Sequence, residues 1–220
     1  MYLPSKPGRY GILLRAAADA NQRYFWKLWL WPCSGRPEAP DRAPPFVQLD
    51  GVNETVRYLL QEVMGSGRSV TPDRFYTSVS RAQEPAAERL TVVGTLNKNR
   101  RLPPAELTNP QNREPGSRRL PPAELTNPQN REPGSSMFTF RNGVTLASHC
   151  PKPKKVVMAL STQHETPIVD EKTRKPEIIL YYNSTKGGVD VVDSMLETAM
   201  GKPTLRRWPT AVFFIIIGVT

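Results

Sequence analysis

Two apolar runs open the chain. Arg9–Ala18 and Tyr24–Trp31, the second almost continuously apolar or aromatic, predict strands joined as a hairpin across Asp19–Arg23. Pro32–Pro45 holds five prolines and reads as loop. Val56, Leu59, Leu60 and Val63 recur at helical spacing and predict a helix over Val52–Met64, with Asn53 as its N-cap. Ser69–Pro72 suits a short strand, Phe75–Arg89 a helix interrupted by Pro85, and Leu90–Leu96 a strand. Three β-like runs come later, Met137–Ser148, Lys155–Ser161 and Glu177–Tyr182. A helix follows from near Gly188, with Val189, Val192 and Met195 as its apolar side. Ala211–Val219 reads as a helix that should be buried. Strands and helices interleaved in this way predict an α/β chain.

Between the two groups of elements the pattern stops. Arg100–Ser117 and Arg118–Ser135 are the same eighteen residues, RRLPPAELTNPQNREPGS, repeated in tandem. Each copy has four prolines, no aromatic residue and few aliphatics. Neither is expected to bury a core face, so the segment is predicted to be one long, disordered loop. A repeat architecture needs apolar faces and several copies, which excludes a solenoid. A local duplication in the gene or an error of assembly would each produce the pattern, and sequencing the transcript across Arg100–Ser135 separates them. Extra loop length costs only about 0.6 kcal/mol per doubling, so the insertion is expected to be tolerated.

Composition adds three limits. A hydrophobic share of 38% supports a core but lies below the usual globular fraction, in keeping with the proline-rich stretch. Thirty Lys and Arg against 20 Asp and Glu give a net charge of +10 spread along the chain, which suits a polyanionic partner. The two cysteines, Cys33 and Cys150, form no CxxC pair, so neither a disulfide framework nor a zinc site is expected. Ala211–Val219 falls far short of the ~20 apolar residues of a membrane helix, and the polar N-terminus has no signal-peptide pattern.

The chemistry-bearing segment is Tyr181–Asp193, YYNSTKGGVDVVD, where a strand-like run meets Gly187–Gly188 and then Asp190 and Asp193 on one helical face. Acids in a first helical turn are favoured by the helix dipole and need no further role. The surrounding letters, NSTKGGVDVVDSM, resemble the signature of piggyBac-type transposases and their domesticated derivatives. The resemblance continues at YLPSKPGRYGI (Tyr2–Ile12), GRSVTPDRFYTS (Gly67–Ser78), LTVVGTLNKN (Leu90–Asn99), SSMFTF (Ser135–Phe140), ALSTQHET (Ala159–Thr166) and RRWP (Arg206–Pro209). It covers most of the chain, in order.

For this family the resemblance implies an RNase H-like α/β core interrupted by a β-rich insertion. Here the core would start in 1–99, the proline-rich repeat fill 100–135, the insertion fill 136–184, and 185–220 hold the last core helix and the start of a DNA-binding and dimerisation region. Asp19, Asp73 and Asp190 are implied as catalytic residues and as ligands of a two-metal Mg²⁺ site, with Asp193 a supporting acid. Cutting and joining a phosphodiester requires an activated water or 3′-hydroxyl and a neutralised leaving oxygen, which two cations held by hard carboxylates supply. Pro72 and Arg74 depart from the family's pattern around Asp73 and place a cation beside it.

DNA is the implied partner and the nucleus the implied location, although PKPKK at Pro151–Lys155 is short for an import signal. Lys152, Lys154, Lys155, Lys186, Arg206 and Arg207 are the candidate phosphate contacts, and Trp208 suits a core position better than a base stack. Relatives extend on both sides of this stretch, so end recognition and dimerisation are expected to be impaired here, and Val212–Ile217 to promote aggregation. Two functional classes follow: a catalytic-core fragment of a DNA transposase, expected to be inactive, or a transposase-derived protein that binds DNA or chromatin without catalysis.

Overall fold

The computed structural model describes residues 13–22, 24–30, 51–79, 82, 89–96, 125 and 131–199. The chain divides into two compact units, residues 1–61 with 187–220, and residues 62–186.

The first unit is built on the expected hairpin. Strand β1 (Leu14–Ala18) pairs antiparallel with β2 (Phe25–Leu30), with Arg15 opposite Trp29 and a register shift between Ala17 and Ala18. Arg15 is only 8% exposed, and its charge is accommodated from two sides. Its Nη1 donates to Thr55 Oγ1 at 2.8 Å, and its guanidinium lies 5.5 Å from the Trp29 ring centre. Thr55 belongs to helix α1 (Val52–Leu60) and passes the bond on, donating to the Gly51 carbonyl at 2.9 Å. Lys27 of β2 lies over Tyr58 of the same helix, 4.4 Å from its ring centre.

The entry to α1 differs from the expectation. Gly51, at φ 103°, is the N-cap, and Asn53 lies exposed inside the first turn. A positive φ is the conformation glycine adopts without cost, so the chain turns into the helix two residues before Asn53. The helix ends at Leu60, short of Met64, and gives way to turns that run to Gly65.

The last helix among the described residues, which we label α3, runs over Gly188–Ala199 and packs against β1. It starts where the sequence places it, but its buried line is Gly188, Val192 and Leu196. Val189 and Met195 are 41% and 52% exposed, which corrects their assignment to the apolar side. Positions four apart share one helical stripe, and the stripe that faces inward here begins at the glycine.

The second unit holds a five-stranded sheet in the order β3-β4-β7-β6-β5. Strand β3 (Ser69–Val70) runs parallel to β4 (Thr91–Leu96), and the remaining pairs are antiparallel. The run Met137–Ser148 is two strands, β5 (Ser136–Arg141) and β6 (Val144–Lys152). They are divided by Asn142–Gly143 with φ of 47° and 70°, the dipeptide and dihedral sign of a tight two-residue hairpin turn. Strand β7 (Lys155–Ser161) lies where expected.

Glu177–Tyr182 is not a strand. It forms most of helix α2 (Glu177–Thr185), entered through Pro176. Ile178 and Ile179 pack with Val93, Ala147 and Ala159, with Tyr181 and Tyr182 at the margin. The β-branched and aromatic composition favours a strand locally, and the apolar face of the sheet overrides it. Phe75 and Tyr76 likewise lie in a turn, with Val79 and Ala82 helical beyond it; most of the expected helix to Arg89 lies outside the described residues.

The repeat contributes to this core, against expectation. Leu125, from the second copy, is 4% exposed and packs with Val156 and Met158. Its carbonyl accepts the Ser148 hydroxyl at 2.6 Å. Arg131, near the end of the same copy, donates from Nη1 to Ser148 Oγ and from Nη2 to the Ser148 and Ser135 carbonyls at 2.8 and 3.0 Å. Gly134 and Ser135 then join the Cys150 end of β6 by backbone bonds of 2.7 and 3.0 Å. Leu125 and Arg131 thus tie the described part of this copy to the sheet. Cys33, Arg206, Arg207, Trp208 and Ala211–Val219 lie outside the described residues. Among the described residues no helix is long and apolar enough to cross a membrane.

Both histidines belong to this unit. His149, 4% exposed, shares a 2.9 Å bond with Ser136 through Nδ1, and His164 shares one of 2.8 Å with Ser161. Burial holds His149 below its ordinary 6.5, and the nearby Arg131 and Lys175 push it lower, against a backbone bond at Ser135. His164 is also lowered by burial, with Glu177 opposing. Folding therefore favours neutral imidazoles. Their stabilisation is complete above pH 6.5 and is lost as the pH falls from there through the lower folded values. Urea midpoints measured from pH 7.5 down to 5 should fall below pH 6.5, and His149→Gln should flatten that slope.

Candidate carboxylate site

Asp19 follows directly on β1 and closes its turn. Its Oδ1 accepts the amides of Asn21 and Gln22 at 2.8 and 2.7 Å, and its own amide donates to the Tyr24 carbonyl at 3.0 Å. Aspartate is suited to such a turn, because its short side chain reaches the amides two and three residues on. The start of α3 abuts this turn. A Cβ on Gly188 would lie 3.2 Å from the Asp19 carbonyl oxygen and 3.3 Å from the Ala20 Cα. Asp190 stands exposed in the first turn of α3, and Asp193, three residues further, is exposed as well. At about 100° per residue Asp190 is about 200° round the axis from Gly188, so it is the helix start that meets the Asp19 turn.

Asp73 belongs to the second unit. It is exposed, follows Pro72, and accepts the Arg74 amide with its own Oδ1. Its carbonyl accepts the Tyr76 and Thr77 amides at 2.9 and 3.0 Å and the Thr77 hydroxyl at 3.0 Å. Thr77, 2% exposed, seats this turn on β4, where Gly94 leaves the space. A Cβ there would collide with the Thr77 hydroxyl, lie 2.9 Å from its Cγ2 and 3.2 Å from Pro72 Cγ. Two residues before Asp73, Thr71 Oγ1 meets Thr185 Oγ1 at 2.7 Å. Thr185 donates to the Tyr181 carbonyl at 2.9 Å, so Thr71 supplies the proton between the two hydroxyls and ties the Asp73 turn to the end of α2.

The donor chemistry of the three aspartates suits a hard divalent cation. Asp19 and Asp190 lie on abutting elements of one unit. Among the described residues, however, no three His, Cys, Asp or Glu side chains are grouped to hold an ion, so the cage of three ligands expected for Mg²⁺ is not formed by them.

Comparison with known proteins bears on this set of acids. A family model described as transposase IS4 matches residues 1–220. The chain belongs to that family. A cryo-EM structure of the piggyBac transposase synaptic complex with hairpin DNA is 33% identical, with a TM-score of 0.72 over 100% of this chain. The likeness identifies a piggyBac-type transposase sequence, and this chain spans 41% of that relative's length.

In this piggyBac-type chain, Lys152, Lys154 and Lys155 are exposed at the β6–β7 hairpin, and Lys186 is exposed at the end of α2, its Nζ 5.9 Å from the Tyr182 ring centre. Arg15, Gly94 and the Thr71–Thr185 pair were not singled out from sequence. Only Gly94 carried a signal, being a lone glycine inside the strand run TVVGTL, which marks close backbone approach. Gly94→Ala overpacks that contact and should cost about 1–3 kcal/mol of unfolding free energy in urea titration.

Proposed function

We propose that this chain carries the acidic site of a DNA transposase core, with Asp19, Asp73 and Asp190 as the residues that would hold Mg²⁺ and Asp193 as a supporting acid. On this reading 1–99 begins an RNase H-like core, 136–184 is its insertion and 185–220 holds the last core helix. What supports the reading is the match of the whole chain to the transposase family and its 33% identity to a piggyBac transposase, with Asp19, Asp73 and Asp190 each standing in a block that resembles that family. When bound, a pair of divalent cations supplies an activated water or 3′-hydroxyl and neutralises the leaving oxygen.

The chain's own residues have separable tasks. The amides of Asn21 and Gln22 fix the orientation of the Asp19 carboxylate, and the Thr77–Gly94 contact fixes the Asp73 turn on β4. Lys152, Lys154, Lys155 and Lys186 would neutralise DNA phosphates without reading sequence. The nucleus is the compartment that suits such a substrate.

The test is nicking and strand transfer on labelled hairpin DNA in Mg²⁺ or Mn²⁺. A catalytically competent site predicts cutting by wild type that Asp19→Asn, Asp73→Asn and Asp190→Asn each slow by roughly 10² or more, whereas an inactive core fragment predicts none. Cutting that survives all three changes overturns the reading. Salt-sensitive DNA binding with no cutting by wild type supports the non-catalytic DNA-binding protein instead.

A further inference from the structure

The second copy of the eighteen-residue repeat is held by a short set of its own groups. Leu125 packs with Val156 and Met158, with Leu96 and Met137 at the margin, and its carbonyl accepts the Ser148 hydroxyl at 2.6 Å. Arg131 donates to Ser148 Oγ and to the Ser148 and Ser135 carbonyls. Gly134 donates to the Cys150 carbonyl at 2.7 Å, and the Ser135 carbonyl accepts the Cys150 amide at 3.0 Å. On the sheet, the seat is therefore Ser148 and Cys150 of β6 with Val156 and Met158 of β7.

Every repeat group in this set falls between Leu125 and Ser135, and Ser135 is the last residue of its copy. The first copy is identical, so Leu107, Arg113, Gly116 and Ser117 stand at the matching positions. Nothing in the seat distinguishes the two. What differs is the exit: Ser135 runs directly into β5, whereas Ser117 is followed by the eighteen residues of the second copy before β5 is reached.

We propose that this face of β6 and β7 is a binding site for the repeat sequence that either copy can fill, the second in the arrangement described above and the first in a minor one. With Leu107 in the seat, Arg118–Ser135 would become a loop whose ends meet at the start of β5. Closing that loop costs on the order of tenfold in population, once the shorter stretch between β4 and the seat is set against it, so the second copy is preferred. Truncating a buried leucine to alanine costs roughly thirtyfold or more in the folding equilibrium. The second penalty exceeds the first, so loss of Leu125 should hand the seat to Leu107. The acidic site plays no part in this exchange.

The experiment is methyl NMR of the full chain, reading nuclear Overhauser contacts from the Met158 methyl to leucine methyls assigned by substitution, together with urea titration. Wild type and Leu107→Ala should both show the Leu125 contact and unfold at the same midpoint. Leu125→Ala should show a Leu107 contact in its place. Deleting Arg100–Ser117 alone should leave the midpoint near that of wild type. Leu125→Ala in the full chain should lower the midpoint only about half as far as Leu125→Ala in the deleted chain, where the matching leucine is gone. Equal losses in the two backgrounds, with no contact between Leu107 and Met158, overturn the proposal. A Leu107 contact that disappears on dilution also overturns exchange within the chain, and places the first copy on the seat of a second molecule.

Discussion

Each aspartate-bearing turn is seated where a glycine leaves no room for a β-carbon. At Gly188 the start of α3 meets the backbone of Asp19 and Ala20, and at Gly94 strand β4 receives Pro72 and Thr77 beneath the Asp73 turn. Contacts of this kind are tight, and at Gly188 both partners are backbone with no rotamer to change. They transmit the position of a core element directly to a surface carboxylate. Asp73 and Asp190 are exposed, and an exposed side chain is placed only as well as the backbone beneath it.

The rest of each unit supports those seats. In the first, Arg15 links β1 to α1 through Thr55, so the strand that ends at Asp19 is fixed at its middle as well as at its end. A buried guanidinium without such partners would cost several kcal/mol, and the Thr55 hydroxyl with the Trp29 face offsets that cost. In the second, β4 pairs with β3 and β7 and carries Val92 and Val93, both essentially inaccessible, together with Gly94. The second copy of the repeat closes the far side of the sheet through Leu125 and Arg131. Compositional reasoning discounts a segment so poor in aliphatics, yet its Leu125 packs with the buried Val156 and Met158.

Sequence made the local elements legible where hydrophobic period and turn chemistry agreed. The β1–β2 hairpin, β4, β7 and the start of α3 all lie where the pattern places them. It failed where tertiary context decides. Ile178, Ile179, Tyr181 and Tyr182 have strand composition, and only the apolar face formed by Val93, Ala147 and Ala159 makes them helical. Of the buried stripe of α3 only Val192 was read, because the stripe begins at a glycine, which carries no hydrophobic signal. The acids themselves came from resemblance; spacing alone supplied only the Asp190–Asp193 pair, whose structural explanation by helix dipole is sufficient.

The structural and chemical roles of the two turn aspartates are not alternatives. A carboxylate offers about four acceptor positions, and amide bonds to one oxygen fix its direction. The Asn21 and Gln22 amides act on Asp19 in this way, and the Arg74 amide on Asp73. Asparagine retains an acceptor oxygen that can keep such a turn, while removing the charge that a cation needs. Alanine removes both, and so confounds loss of the turn with loss of the ligand. Asparagine is therefore the substitution that separates a turn-former from a metal ligand at these positions, whereas at the exposed Asp190 on α3 no turn bond complicates the choice.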